Sequence, residues 1–256
     1  MALNKSLAKA ASVNPCLEPW TGKLGGIPRF DLVSAAQLKP AILTGIDLKR
    51  AEIKAIVSEK AQATFENTIA ALENVGRQLG RAMRFFDIYT STMSDKAMQR
   101  IESEIRPLIA KFDDEVIQND ELFQRIKTVF ENRASTGLTP EQQRLTEVYY
   151  RQFTRQGAGC DTQKKARLRE INERLATLFT NFSHNLLADE EKYFLVLESE
   201  RDQAGLSANL RSEAVQQAET RGMKGKLVIT NTRSSMEPLL TFSSRRDLRE
   251  KGWRMF

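Results

Sequence analysis

From about Asp161 to Glu191 the chain carries no glycine and no proline, and Leu168, Ile171, Leu175, Leu178, Phe182 and Leu186 follow one another in steps of three and four. That spacing matches the 3.6-residue period of an α-helix, so an apolar stripe should run along one long, unbroken helix. The rest of the chain agrees with such an element. Only 13 glycines and 7 prolines occur in 256 residues, and so few breakers favour helices over a many-turned sheet protein. Hydrophobic residues make up 41% and charged residues 28%, an ordinary globular balance with enough apolar material for a real core.

The helical period recurs upstream. Ala41, Ile42, Ile46, Ile53 and Ile56 give an apolar face after Pro40. Phe65, Ile69, Leu72, Val75, Leu79, Met83 and Phe86 define a clearer helix that Thr64 is placed to cap. Ser94 suits a cap for the run from Ala97 to Val116, which Pro107 should kink or divide. Asn119 or Asp120 opens a shorter helix through Phe130, closed by Gly137. Thr139-Pro140-Glu141-Gln142 combines a cap, a first-turn proline and a capping-box glutamine, and starts a helix that ends before Gly157.

After residue 191 the period changes. Residues 193–197, 226–230 and 238–242 are short, apolar runs that read as three strands, with a helix from about Ser207 to Arg221 between the first two. From Ser243 a last helix should turn Leu248 and Trp253 inward, and the pattern is still running at Phe256, as in a truncated element. Before residue 29, Pro15, Pro19, Gly22, Gly25, Gly26 and Pro28 make an irregular arm that Trp20 should anchor, with ligand stacking the lesser alternative. The expected fold is mainly α: a long-helix bundle with a small β-sheet near the C-terminal end. Its divisions are an N-terminal arm (1–28), a helical bundle (29–191) and a strand-containing segment with the final helix (192–256).

The formal charge is +6, from 39 basic and 33 acidic residues that largely alternate. Lys164-Lys165-Ala166-Arg167-Leu168-Arg169 and Arg245-Arg246 are the densest basic runs, and they read as solvated helix faces rather than a nucleic-acid surface. Met1 to Val13 holds Lys5 and Lys9 without a continuous apolar stretch, which suggests a short leader rather than a signal peptide. No apolar run approaches the ~20 residues that span a bilayer, so the expectation is a cytoplasmic protein with no membrane or nucleic-acid partner. Cys16 and Cys160 lack metal-type spacing and read as free thiols rather than a disulfide.

No motif assembles a reaction centre. His184 is the single histidine, with no nucleophile elbow to serve, and one histidine with two distant cysteines cannot form a hydrolytic zinc site. Asp113-Asp114 and Asp189-Glu190-Glu191 fall on helix faces or ends where solvated carboxylates are expected. Gly76 and Gly80 lie four apart without a phosphate-loop ending, and read as mid-helix residues on one face packed against a neighbouring helix. No residue is therefore assigned as catalytic, cofactor-binding or metal-ligating.

Several segments in order carry a resemblance. They are Asn14-Pro15, Leu17-Glu18-Pro19-Trp20 and Gly25-Gly26-Ile27-Pro28, then the run Thr64-Phe65-Glu66-Asn67-Thr68-Ile69 to Glu73. Gly137-Leu138-Thr139-Pro140-Glu141-Gln142 to Leu145, Ile171-Asn172-Glu173-Arg174-Leu175 to Phe179, and Arg246-Asp247-Leu248-Arg249-Glu250-Lys251 follow. Together these resemble the thimet-oligopeptidase-like zinc metallopeptidases, most of all the peptidyl-dipeptidase Dcp branch, with oligopeptidase A next. The resemblance covers Asn14 to Phe256 and implies a helix-rich enzyme with a deep channel that hydrolyses short peptides with one zinc ion.

The family's His-Glu-x-x-His helix and further glutamate ligand have no matching positions here, so no metal or catalytic residue carries over. What the resemblance implies is the N-terminal, channel-walling portion of such an enzyme, inactive alone. Zinc and short peptides then belong to the full-length protein, a missing C-terminal catalytic part is the implied partner, and the isolated chain is expected to self-associate. A free-standing helical module that binds a protein partner is the competing reading.

Overall fold

The computed structural model describes residues 14–23 and 26–256; the expected leader, Met1 to Val13, and Gly25 of the arm lie outside them. The chain divides into two compact units, one running to Thr180 and the other from Asn181 to Phe256.

In the first unit, α1 (Ala35–Val57) begins ahead of Pro40, earlier than its apolar pattern indicates, because Gln37 reaches back to accept the Ser34 N–H at 2.7 Å. A π-helical turn, Phe65–Ala70, leads into the short α2 (Ala71–Asn74). The Thr64 cap forms as the sequence suggests, its hydroxyl accepting the Asn67 N–H at 3.2 Å. The expected single helix from Phe65 to Phe86 is broken, however. Val75 is extended, Gly76 takes φ +73°, and α3 (Arg77–Thr92) starts afresh. Only glycine enters that region of backbone at little cost, and Glu52 accepts its freed N–H at 2.7 Å.

Helix α4 (Lys96–Ile117) is not divided at Pro107. Its cap is Asp95 rather than Ser94, the carboxylate accepting the Met98 N–H at 2.8 Å. Asn119 caps α5 (Asp120–Asn132) in the same way. Thr139 and Gln142 exchange both capping-box bonds at the start of α6 (Pro140–Arg155). Helix α7 (Thr162–Lys192) is the long element, 31 residues without interruption.

Two cores hold this unit. In one, Ile42 and Ile46 of α1 meet Phe85 and Phe86 of α3 and Ile105 and Phe112 of α4. The arm closes that core with Cys16 and Leu17, and the Arg81 guanidinium donates twice to the Leu17 carbonyl, at 3.0 and 2.8 Å. Trp20 acts as the expected anchor, its ring edge-on to Phe85 with centroids 6.5 Å apart. The other core joins Ile53 and Ile69 to Leu122, Ile126, Val129 and Phe153.

In the second unit β1 (Phe194–Leu197) pairs antiparallel with β2 (Leu227–Thr230), Phe194 opposite Thr230, and α8 (Ala208–Thr220) lies between them in sequence. The expected third strand does not exist: Pro238–Phe242 forms the end of α9 (Arg233–Phe242). A short apolar run cannot be told from a buried helical turn by period alone. Here Met236, one turn before Leu239, completes a buried helical face, and Thr230 donates to Ser235 Oγ at 2.9 Å to tie the helix start to β2.

The last helix, α10 (Arg246–Met255), turns Leu248 and Gly252 inward and leaves Trp253 66% exposed, contrary to expectation. Trp253 follows Leu248 by five residues, which places it far round the helix from the buried line. The fold is mainly helical with one small two-stranded sheet near the C-terminal end.

Candidate functional site

The groups that carry chemistry in the sequence are scattered. Among the described residues no three His, Cys, Asp or Glu side chains gather where they could hold a metal ion. The zinc that the resemblance implies for the full-length enzyme thus has no set of ligands among the described residues. His184 is half-buried on α7. Cys16 and Cys160 are free thiols, and burial pushes the Cys16 thiol up to about 11. No helix among the described residues is long and apolar enough to cross a membrane.

The basic run at the start of α7 is not a uniformly solvated face. Lys165 is buried, its ammonium donating to the Gln118 carbonyl at 3.2 Å and pairing with Asp120. Arg169 donates to Gln118 Oε1 at 2.7 Å, and Asn172 donates to the buried Asp114 carboxylate at 2.7 Å. These polar contacts fasten α7 to the turn between α4 and α5. They consume Asp114, which is buried rather than solvated as its place on a helix face suggests.

The apolar stripe of α7 does the opposite of what its period suggests. Ile171, Leu175, Leu178 and Phe179 are 37–67% exposed, and so are Phe182 and Leu186 beyond them at 68% and 51%. The buried positions on this helix are Lys165 and Thr180. A helix whose polar residues are inside and whose aliphatic and aromatic residues face water leaves an exposed apolar strip along its length.

A cleft of about 380 Å³ opens elsewhere in the first unit, among α1, α2, α4 and α6. Ile53, Leu72, Ile117 and Phe153 form its buried apolar floor. Lys49, Asp113, Tyr149, Gln152 and Gln156 supply the polar rim. The Tyr149 hydroxyl donates to Glu73 at 2.5 Å, and burial together with that carboxylate raises its pKa. Asp113, an exposed residue of the rim, is also raised, chiefly by desolvation of its carboxyl, with Lys49 pulling the other way. Lys49 lies over the Phe112 ring, 5.6 Å from its centroid, and makes no ion pair within 4.0 Å among the described residues. A second groove, about 360 Å³, continues along α6 beside Arg144, Arg151 and Arg155 and shares Gln152 and Gln156 with the first. Nothing in the sequence pattern points to this cleft, because its rim comes from helices distant in the chain.

No protein-family model matches the chain. Individual proteins do. Dipeptidyl carboxypeptidase of Escherichia coli is 33% identical over 230 residues, which are 88% of this chain and 34% of the relative. Dipeptidyl carboxypeptidase of Salmonella typhimurium is 32% identical over 223 residues, and oligopeptidase A of Escherichia coli 24% identical over 243. The chain thus spans about a third of the length of the curated relatives it matches. It corresponds to an N-terminal portion of a member of the dipeptidyl carboxypeptidase-like peptidase family.

Proposed function

We propose that this chain is the N-terminal, channel-walling portion of a zinc-dependent oligopeptidase of the peptidyl-dipeptidase type, and that it is inactive alone. The observation that carries the reading is the outward-facing apolar stripe of α7 in a chain that aligns with a third of each relative. Covering one large apolar side chain is worth roughly 1.5–3 kcal/mol, so four or more along one helix supply an appreciable docking energy. The occupant is the catalytic part of the same enzyme, which brings the zinc ligands and performs hydrolysis of short peptides. This chain contributes a wall that helps to admit and orient them.

The test has two arms. A quenched-fluorescent peptide incubated with the 256-residue chain, with and without zinc, should remain intact; chelator-sensitive turnover that tracks the chain's mass would overturn the assignment. Co-expression with the remaining two thirds of Escherichia coli dipeptidyl carboxypeptidase should yield a complex that Phe179→Glu disrupts. Failure to associate would favour a free-standing module that binds another protein.

A further inference from the structure

We propose that the groove along α6 binds a diphosphate group, held by Arg144, Arg151 and Arg155. These three follow one another with Val148 in steps of four, three and four residues, so they form one stripe along the helix. Glu147 is the carboxylate that reaches this stripe. Its Oε2 accepts from Arg144 at 2.9 Å and its Oε1 from Arg151 at 3.0 Å, so one acid is shared by two guanidinium groups. Each commits a single N–H to it, of the five that a guanidinium carries. Arg155 makes no hydrogen bond and no ion pair among the described residues. Several exposed arginines elsewhere have a carboxylate each: Arg167 with Glu170, Arg233 with Glu237 and Arg254 with Glu250. On α6 the same balance is not met, and the groove keeps a positive excess.

The shape of the groove suits an oxyanion with two linked centres. Arg151 and Arg155 stand one turn apart, about 6 Å along the helix axis, so each can face one of two joined phosphoryl groups. Guanidinium forks donate in pairs to phosphate oxygens, which gives both strength and orientation. The side-chain amides of Gln152 and Gln156 line the same groove without a hydrogen bond among the described residues, and their N–H groups can donate to the remaining oxygens. A volume of about 360 Å³ lies at the small end of ligand pockets, which run from roughly 300 to 1,000 Å³. That leaves space for an organic group carrying the diphosphate, and Val148, 41% exposed between the arginines, gives such a group an apolar surface.

This inference goes beyond the peptidase assignment and does not depend on it. Calorimetric titration of the 256-residue chain with inorganic pyrophosphate, orthophosphate and ADP tests it, at low ionic strength where exposed charges are least screened. Pyrophosphate should bind, and orthophosphate at least about tenfold more weakly. Arg151→Gln and Arg155→Gln should each weaken pyrophosphate about tenfold, the scale of one lost charge-assisted hydrogen bond. Arg211→Gln removes an exposed cation of α8 that also lacks an ion pair among the described residues, and should leave binding unchanged. Circular dichroism melting of each variant checks that the fold survives. ADP bound as tightly as pyrophosphate supports the site as one for the diphosphate end of a larger molecule; ADP bound more weakly supports it as one for the free anion. No binding at millimolar pyrophosphate, equal affinity for orthophosphate, or the same loss in Arg211→Gln as in Arg155→Gln would each overturn the proposal.

Discussion

Gly45 of α1 lies against the backbone of Leu79 in α3, so close that a Cβ on Gly45 would sit 2.8 Å from the Leu79 Cα. The first core depends on this approach, since Ile42 and Ile46 on one side and Phe85 and Phe86 on the other reach each other across it.

Gly45→Ala should therefore destabilise the chain by about 1–3 kcal/mol, the usual penalty for overpacking where backbone must shift. Gly80→Ala is the matched contrast. Nothing lies within 4 Å of a Cβ there and the residue is exposed in the first turn of α3, so helix propensity alone should act, stabilising by up to about 1 kcal/mol. Thermal or urea unfolding of both variants measures the difference. Equal effects at the two positions would mean that the α1–α3 approach is looser than described.

Asn172 is the main polar tether of α7 to the buried Asp114. Asn172→Ala leaves that carboxylate buried without the amide, which should cost about 1–3 kcal/mol. The check is a double-mutant cycle with Asp114→Asn, in which the double variant should lose less than the two single losses added together.

The exposed stripe of α7 makes stability and association separable. Leu178→Glu with Phe179→Glu replaces side chains that touch little within the chain, so the unfolding free energy should change by no more than about 0.5 kcal/mol per site. Self-association is expected of the parent chain and should be lost in the variant. Light scattering over a concentration series reads this directly; a parent chain that stays monomeric throughout contradicts the expectation.

The two thiols should differ in reactivity. Cys16 is buried in the first core and its pKa is raised from 9.0 to about 11, so at pH 8 it is both shielded and protonated. Cys160 is half-buried and should react first with a thiol reagent, Cys16 following only when the chain unfolds. The linkage has a defined sign. A raised folded-state value means the protonated thiol contributes stability fully below pH 9, and this is lost as pH rises through about 11. Cys16→Ser should flatten that part of the stability profile.

What could be read from the sequence were features whose cause is local. The Thr139–Gln142 capping box, the helix starts at Asn119 or Asp120 and near Ser207, and the uninterrupted α7 follow from side chains acting on backbone within one or two turns, and each formed. Two of the three strands followed from short runs of apolar, branched and aromatic residues. The third failed because Pro238–Phe242 could satisfy either period, and only Met236 packed beneath Leu239 decided it. Gly76 and Gly80 look alike in sequence, yet one needs a left-handed backbone and the other meets nothing. Periodicity established that α7 has an apolar side but carries no information about what that side faces. Burial is a property of the neighbours. The tertiary structure turned Lys165 and Asn172 toward the body of the first unit and Ile171, Leu175 and Leu178 to water, because Gln118, Asp114 and Asp120 were there to receive polar groups.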